Sequence, residues 1–576
     1  MRLQSARTVG VILSILPEDA MTASKRVAPD SGAAAADPIR HVVHLILENR
    51  SFDQMMGSLS AIYADLDGVD PKNLHRNSDI DGHSFAQAPT TERQMPKWDP
   101  HHEVPHVAEQ LSNGNTGFVR DYSEWYEDST TAARQLIMSY YPLDFLPALH
   151  ALGRNFAVCD RWFSSLPGPT WPNRFFALSG TSNGRVNMPE DGSHGADLAG
   201  YFQQTQTTLF DRLNEKAVHW KVYFHDIPQT LVLDHQREPH NVARYFYVDQ
   251  FYKDARGLES DFPQYCLIEP DFMGYEQNDD HPPHDVMRAE KLIADVYNAI
   301  RANDALWKST LLVVMFDEHG GFYDHVVPPA AVAPDDAQPS EYSFKQLGVR
   351  VPAILVSPFV EPGVVHTQFD HTSLLKYLIE KWRLGELGRR TAAANSIGSV
   401  ISGTAHDNGL HRIVLTADQL VPPDPKAEDE AFGTSSAHQA ALVKLAQWLK
   451  IEADEKLPRV ATWLARFAET IRTDLEKRFL GTADFSVSLA RPDKLSLPLQ
   501  TKATDNVVDF MMRMKKYAAI GLHNRLLNRQ LPDDQKQHSV QTLATMTGRH
   551  FNREDPAEAK AWLVKEGNLD PSKPMQ

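Results

Sequence analysis

The chain has 576 residues, 42% hydrophobic and 23% charged, with a formal net charge of −17. That length exceeds what one compact core supports, so a large domain with a smaller addition is expected. The acidic balance excludes nucleic acid as a general partner, because phosphate backbones are held by basic patches.

Residues 1–37 read as a disordered leader. Arg2 and Arg7 precede the apolar run Val9–Leu16, which has the outline of a short signal core. Glu18 and Asp19 follow at once and argue against a cleavage site, so the cytoplasm is favoured over secretion or a periplasm. No apolar run reaches the roughly 18 residues of a membrane-spanning helix. The only cysteines, Cys159 and Cys266, sit in apolar surroundings and read as buried small hydrophobes rather than a disulfide framework.

From 38 to 402 apolar strands alternate with amphipathic helices, the pattern of an α/β sandwich around a mostly parallel sheet. His41–Leu47 reads as a buried strand, and it ends in Glu48-Asn49-Arg50-Ser51-Phe52. Further strands are expected over 218–224, 311–316 and 351–356, and helices over 285–302 and 371–382. The strand at 311–316 ends in Asp317-Glu318-His319-Gly320-Gly321. Functional residues of an open parallel sheet gather past the carboxyl ends of its strands. Two such ends carrying hard oxygen ligands suit a divalent cation, although an acidic residue at a strand end is more often a turn residue. In Leu166-Pro167-Gly168-Pro169-Thr170-Trp171-Pro172-Asn173-Arg174, Pro172 suits the first position of a helix. Thr170 would then sit just before it, as an N-cap or as a nucleophile beside free N–H groups that receive phosphate. Histidines cluster beside acids at 98–102, 279–284 and 317–325, where they can bind metal, hold phosphate oxygens or protonate a leaving alkoxide.

The stretch 403–436 is rich in proline, aspartate and glycine and reads as a linker. Residues 437–576 read as helical, with candidates at 437–453, 505–529, 537–549 and 556–566. Val460, Leu464, Phe467, Ile471 and Leu475 also fall at helical spacing. Packing against the larger domain is the expected role there, with membrane or partner docking as the alternative. The chemistry is expected to lie before residue 403.

Taken together, Glu48-Asn49-Arg50-Ser51-Phe52-Asp53, Asp99-Pro100-His101-His102, Thr170 through Arg174, Asn278 through His284 and Asp317 through His325 resemble, in this order, the motifs of the phosphoesterase family. That family comprises bacterial phospholipases C and acid phosphatases within the alkaline phosphatase superfamily. The last three motifs, with Gly348-Val349-Arg350-Val351-Pro352, look most like plant non-specific phospholipases C. The resemblance spans about 38–400 and implies an alkaline-phosphatase-like α/β sandwich. It implies a cation held by Glu48, Asn49, Thr170, Asp317 and Glu318, with Thr170 as nucleophile. It places His102 and His281 on the phosphoryl group or leaving oxygen. Asn173, Arg174, His284, His319 and His325 would contact substrate. An oxygen-rich ligand set suits calcium, magnesium or manganese better than zinc. Thr170 and Glu318 match the phospholipase branch, where the acid phosphatase branch often has serine and aspartate. The implied reaction is phospholipase C-type cleavage of a phosphodiester through a phosphothreonine, on phospholipid or another phosphate ester, with peripheral membrane contact as an option. A phosphomonoesterase is the alternative and a non-catalytic lipid-binding protein a remote one. A sulfatase is disfavoured, because that chemistry needs an oxidisable cysteine or serine at position 170.

Overall fold

A computed structural model describes residues 37–95, 98–189, 200–273, 277–337, 342–421 and 436–456, short helical pieces between 506 and 543, and a helix at Pro556–Gly567. The expected leader and the helical periodicity at 460–475 lie outside the described residues.

Eight strands form the central sheet: β1 (His41–Leu47), β2 (Ala157–Cys159), β3 (Trp220–Phe224), β4 (Tyr245–Tyr247), β5 (Tyr265–Glu269), β6 (Thr310–Phe316), β7 (Ala353–Val356) and β8 (Gly363–Val365). Their spatial order is β8-β2-β7-β6-β1-β5-β3-β4. Strand β7 runs antiparallel to both its neighbours, and every other pairing is parallel. The fold is therefore α/β with a mostly parallel sheet, as the alternation of apolar runs and helices requires. Both faces of the sheet are covered, so β1 and β6 are buried along their whole length and carry continuous apolar runs rather than alternating ones.

Five helices matter here: α1 (Phe52–Met56), α2 (Thr170–Ser179), α3 (Val286–Arg301), α4 (Thr372–Trp382) and α5 (Ala437–Lys456). Helix α3 starts on an Asp285 cap and buries Val286, Leu292, Ile293, Val296 and Ile300. Helix α5 contributes Ala441, Leu442, Leu445, Ala446 and Leu449 to the same core cluster as the sheet. Its far end is fastened by Glu452, which accepts from Arg237 Nε at 2.6 Å. Cys159 and Cys266 are both buried and free, on β2 and β5. Among the described residues, no helix is long and apolar enough to cross a membrane.

The register of the central pair positions the site. Strands β1 and β6 align from His41 opposite Thr310 to Leu47 opposite Phe316. The residues that follow, Glu48 and Asp317, therefore leave the sheet side by side, and Asp317 N donates to Leu47 O at 3.1 Å.

Candidate active site

Past these strand ends the backbone turns sharply. Asn49 adopts φ 58° and Gly320 φ 61°, both in the left-handed region. A Cβ at Gly320 would lie 2.3 Å from Asn49 O, so only glycine allows the two loops to close on each other. Arg50 N donates to Glu318 O at 3.0 Å and Glu48 N to Asp279 O at 2.7 Å, which joins the loops after β1, β5 and β6. Asp317 Oδ1 accepts from Asn49 N at 3.3 Å and Glu318 N at 2.7 Å.

Thr170 is the first residue of α2, not its cap. Pro169 occupies the cap position, and no side chain caps the helix. Residues four apart share a helix face, so Thr170 lies on the face that carries Arg174. Arg174 is buried between the two strand ends: its Nη2 reaches Glu48 Oε1 at 3.0 Å and its Nε reaches Asp317 Oδ2 at 2.9 Å. The loop before Thr170 is held by Asn173, whose Nδ2 donates to Leu166 O, Gly168 O and Pro169 O and whose Oδ1 accepts from Leu166 N. Thr170 thus sits at the positive end of the α2 dipole, where Trp171 N donates to Met188 Sδ at 3.4 Å, Asn173 N donates to Pro169 O at 3.4 Å, and Pro172 has no N–H.

Three buried oxygens here, Glu48 Oε2, Asn49 Oδ1 and Glu318 Oε1, have no hydrogen-bond partner among the described residues. Unpartnered buried oxygens are costly, and hard oxygen donors such as these are what a divalent cation takes. Charge points the same way. Burial pushes the Glu48 carboxyl up to about 8, against the pull of Arg174, and burial likewise lifts Asp317 to about 7. One guanidinium does not neutralise three carboxyl groups, whereas a bound divalent cation would.

The histidines divide into two groups. His102 Nδ1 donates to Pro100 O at 2.9 Å, which leaves Nε2 facing Asn49 Nδ2 at 3.4 Å and Glu318 Oε1 at 3.7 Å. Burial opposes its charge, but Glu318, Glu103 and Asp99 outweigh burial and raise it to about 10. His281 Nδ1 is bonded to Pro282 O, its Nε2 lies 3.6 Å from Asp99 Oδ2, and its ring centroid is 6.1 Å from that of His102. Burial holds His281 well below the ordinary imidazole range, with His284 and His102 adding to the effect. His284 Nδ1 is tied to Asp279 Oδ1, and His319 bonds Gln110 Oε1 at 2.7 Å and approaches Glu318 Oε2 at 3.4 Å.

Three residues for which the motifs imply substrate contacts are bonded to protein groups. Arg174 faces the Glu48 and Asp317 carboxylates and Asn173 faces loop carbonyls, as described. His325 is bonded on both ring nitrogens, to Asp53 Oδ2 at 2.8 Å and Asp67 Oδ1 at 3.0 Å. Fully buried Arg350 joins this network through Asp324 Oδ1 at 2.8 Å and Asp53 Oδ1 at 3.1 Å, and it stacks on Phe52. The outer halves of the first and last motifs thereby clamp each other. Sequence reasoning missed Asp279 and Gln110, which orient histidines, and His438 of α5, whose Nδ1 lies 2.9 Å from Glu48 Oε2. The region after 403, expected to stay clear of the chemistry, brings this side chain against one of the expected ligand residues. A histidine near the start of an otherwise apolar-spaced helix was the only sequence signal for it.

A family model described as the Phosphoesterase family matches residues 39–385. The chain is 31% identical to "Non-specific phospholipase C3" of Arabidopsis thaliana over 440 residues, covering 70% of this chain and 80% of that one. It is 27% identical to "Phospholipase C B" of Mycobacterium tuberculosis, over 62% of this chain and 78% of that one. Among solved structures, the phosphonate monoester hydrolase of Agrobacterium radiobacter aligns at 10% identity with a TM-score of 0.27, over 63% of this chain and 77% of that chain.

Proposed function

The chain belongs to the phosphoesterase family, whose members hydrolyse phosphate esters, and from that premise we propose that it cleaves a phospholipid-type phosphodiester as a phospholipase C, with Thr170 as nucleophile. The relatives named as phospholipases C support the substrate class. The observation that carries the mechanism is the trio of unpartnered oxygens on Glu48, Asn49 and Glu318, tied through Arg174 to the helix that Thr170 begins.

Glu48, Asn49, Thr170, Asp317 and Glu318 would hold a divalent cation. When bound, it would lower the pKa of a nearby hydroxyl and offset phosphoryl charge. Arg174 keeps the Glu48 and Asp317 carboxylates apart and aimed. The positive end of the α2 dipole would favour a phosphoryl oxygen beside Thr170. Thr170 Oγ1 would release its proton to solvent and form a bond to phosphorus as the bond from phosphorus to the leaving alcohol breaks. His102, which stays protonated at neutral pH, would supply the proton that the departing oxygen needs, with neutral His281 beside it. Water then forms the second bond to phosphorus, the threonine bond breaks, and Thr170 regains its proton.

Activity on a phosphocholine diester and on an aryl phosphate monoester, measured on one preparation before and after chelation, tests this reading. The diester should be preferred and chelation should abolish turnover. Preference for the monoester would make the enzyme a phosphatase on the same scaffold. Full activity of Thr170→Ala would remove the covalent mechanism.

A further inference from the structure

Helix α5 begins beyond every motif read from the sequence, and its second residue enters the site. His438 is buried, with Nδ1 2.9 Å from Glu48 Oε2 and Nε2 3.1 Å from Gln229 Oε1. The Phe272 ring meets it edge-on at 4.8 Å. A buried histidine on a packing helix is satisfied by one good partner, and Gln229 provides it. Packing does not account for the other ring nitrogen, which is set against a carboxylate oxygen that has no aligned hydrogen bond. Oε1 of Glu48 is thus hydrogen-bonded to Arg174 of α2, while Oε2 lies 2.9 Å from His438 Nδ1 of α5. Helix α5 cannot drift, because its apolar face lies in the main core and Glu452 is paired with Arg237.

We propose that His438 is a positioning residue of the active site, fixing the Glu48 carboxylate in the orientation the cation requires, so that the start of α5 is part of the catalytic unit. The inference rests on the cation reading above. Partners that orient a metal ligand from behind typically contribute about 10–100-fold to metal affinity.

The test uses the full-length chain, stripped by chelation and titrated with Mn²⁺ alone, with free Mn²⁺ followed by electron paramagnetic resonance. His438→Leu fills the space but removes the polar contact, and it should weaken Mn²⁺ binding by about 10-fold or more. The melting temperature of the stripped protein should change little. His438→Asn places an amide where Nδ1 lies and should recover most of the affinity. His438→Gln reaches towards Gln229 instead of Glu48 and should behave like the leucine variant, which keeps the test open if leucine does not fold. On the phosphocholine diester, kcat should follow Mn²⁺ affinity across the series. Wild-type affinity in His438→Leu, or equal affinity of the asparagine and glutamine variants, overturns the proposal and leaves the cation site standing. A wild-type chain that binds no Mn²⁺ overturns both.

Discussion

Replacing His325 by glutamine separates a structural role from the substrate contact its motif implies. Its side chain is 14% exposed and lies between Asp53 and Asp67. Burial opposes its charge, but Asp53, through charge and hydrogen bonding, and Asp67 outweigh burial and raise it from 6.5 to about 10. At about 1.4 kcal/mol per unit that is on the order of 5 kcal/mol, which screening on the exposed Asp67 side reduces to about 2–4 kcal/mol. A raised folded-state pKa stabilises fully below the unfolded value of 6.5, and that stabilisation is lost as pH rises through about 10. Asp67 acts in the opposite sense: held down to about 2 chiefly by its hydrogen bond from His325, it contributes above 3.8 and ceases to as pH falls through about 2. Thermal melts of wild type and His325→Gln should therefore differ most between about pH 4 and 6.5 and converge towards about pH 10. The folded variant should keep kcat/KM within about threefold of wild type at neutral pH. A melting gap that stays constant to about pH 10.5, or a large loss of kcat/KM without loss of stability, would refute the reasoning.

Arg174→Met leaves two carboxyl groups without their cation and should destabilise the stripped protein by about 3–5 kcal/mol, with much of the loss restored by Mn²⁺ in denaturant titrations. Gly320→Ala forces a Cβ to 2.3 Å from Asn49 O and should abolish Mn²⁺ binding even where circular dichroism shows a folded chain. Asn173→Ala frees the loop before Thr170 and should lower kcat by about 10–100-fold with little change in KM, read from steady-state kinetics. Ending the chain near residue 403 removes His438 and uncovers the core beneath α5. Such a protein should fail on small soluble diesters as well as on lipid, and full activity on the small diester would contradict this placement of α5.

The central strands were legible because they are buried on both faces and so carry unbroken apolar runs. Their ends were legible because Glu48-Asn49 and Asp317-Glu318 interrupt those runs with polar oxygen-bearing side chains. Strands β2, β4 and β8 have only three residues each and present no period to read. Thr170 was found by its proline-rich turn but the helix start was displaced by two positions, since Pro172 was taken as the first helical residue and is the third. The division of the motif residues into chemistry and clamp was not legible. Arg174, His325 and Arg350 have the chemical character of phosphate binders, and only their buried partners show that they hold other protein groups instead. His438 was out of reach for a different reason: its meaning depends on a tertiary contact across the whole catalytic region.

The sheet order also sets when, during synthesis, the enzyme becomes able to work. Strand β1 emerges early but has no immediate neighbour in sequence at its side; it is flanked by β5 and β6, and Asn49 and Asp317 meet across 268 positions. Contacts this remote close late, since loop entropy is lost before they are gained. The carboxylates after β1 therefore wait unassembled until most of the catalytic region has left the ribosome, and Glu48 meets its last partner only when α5 follows. A nascent chain hydrolyses nothing until its sheet has closed around its first strand.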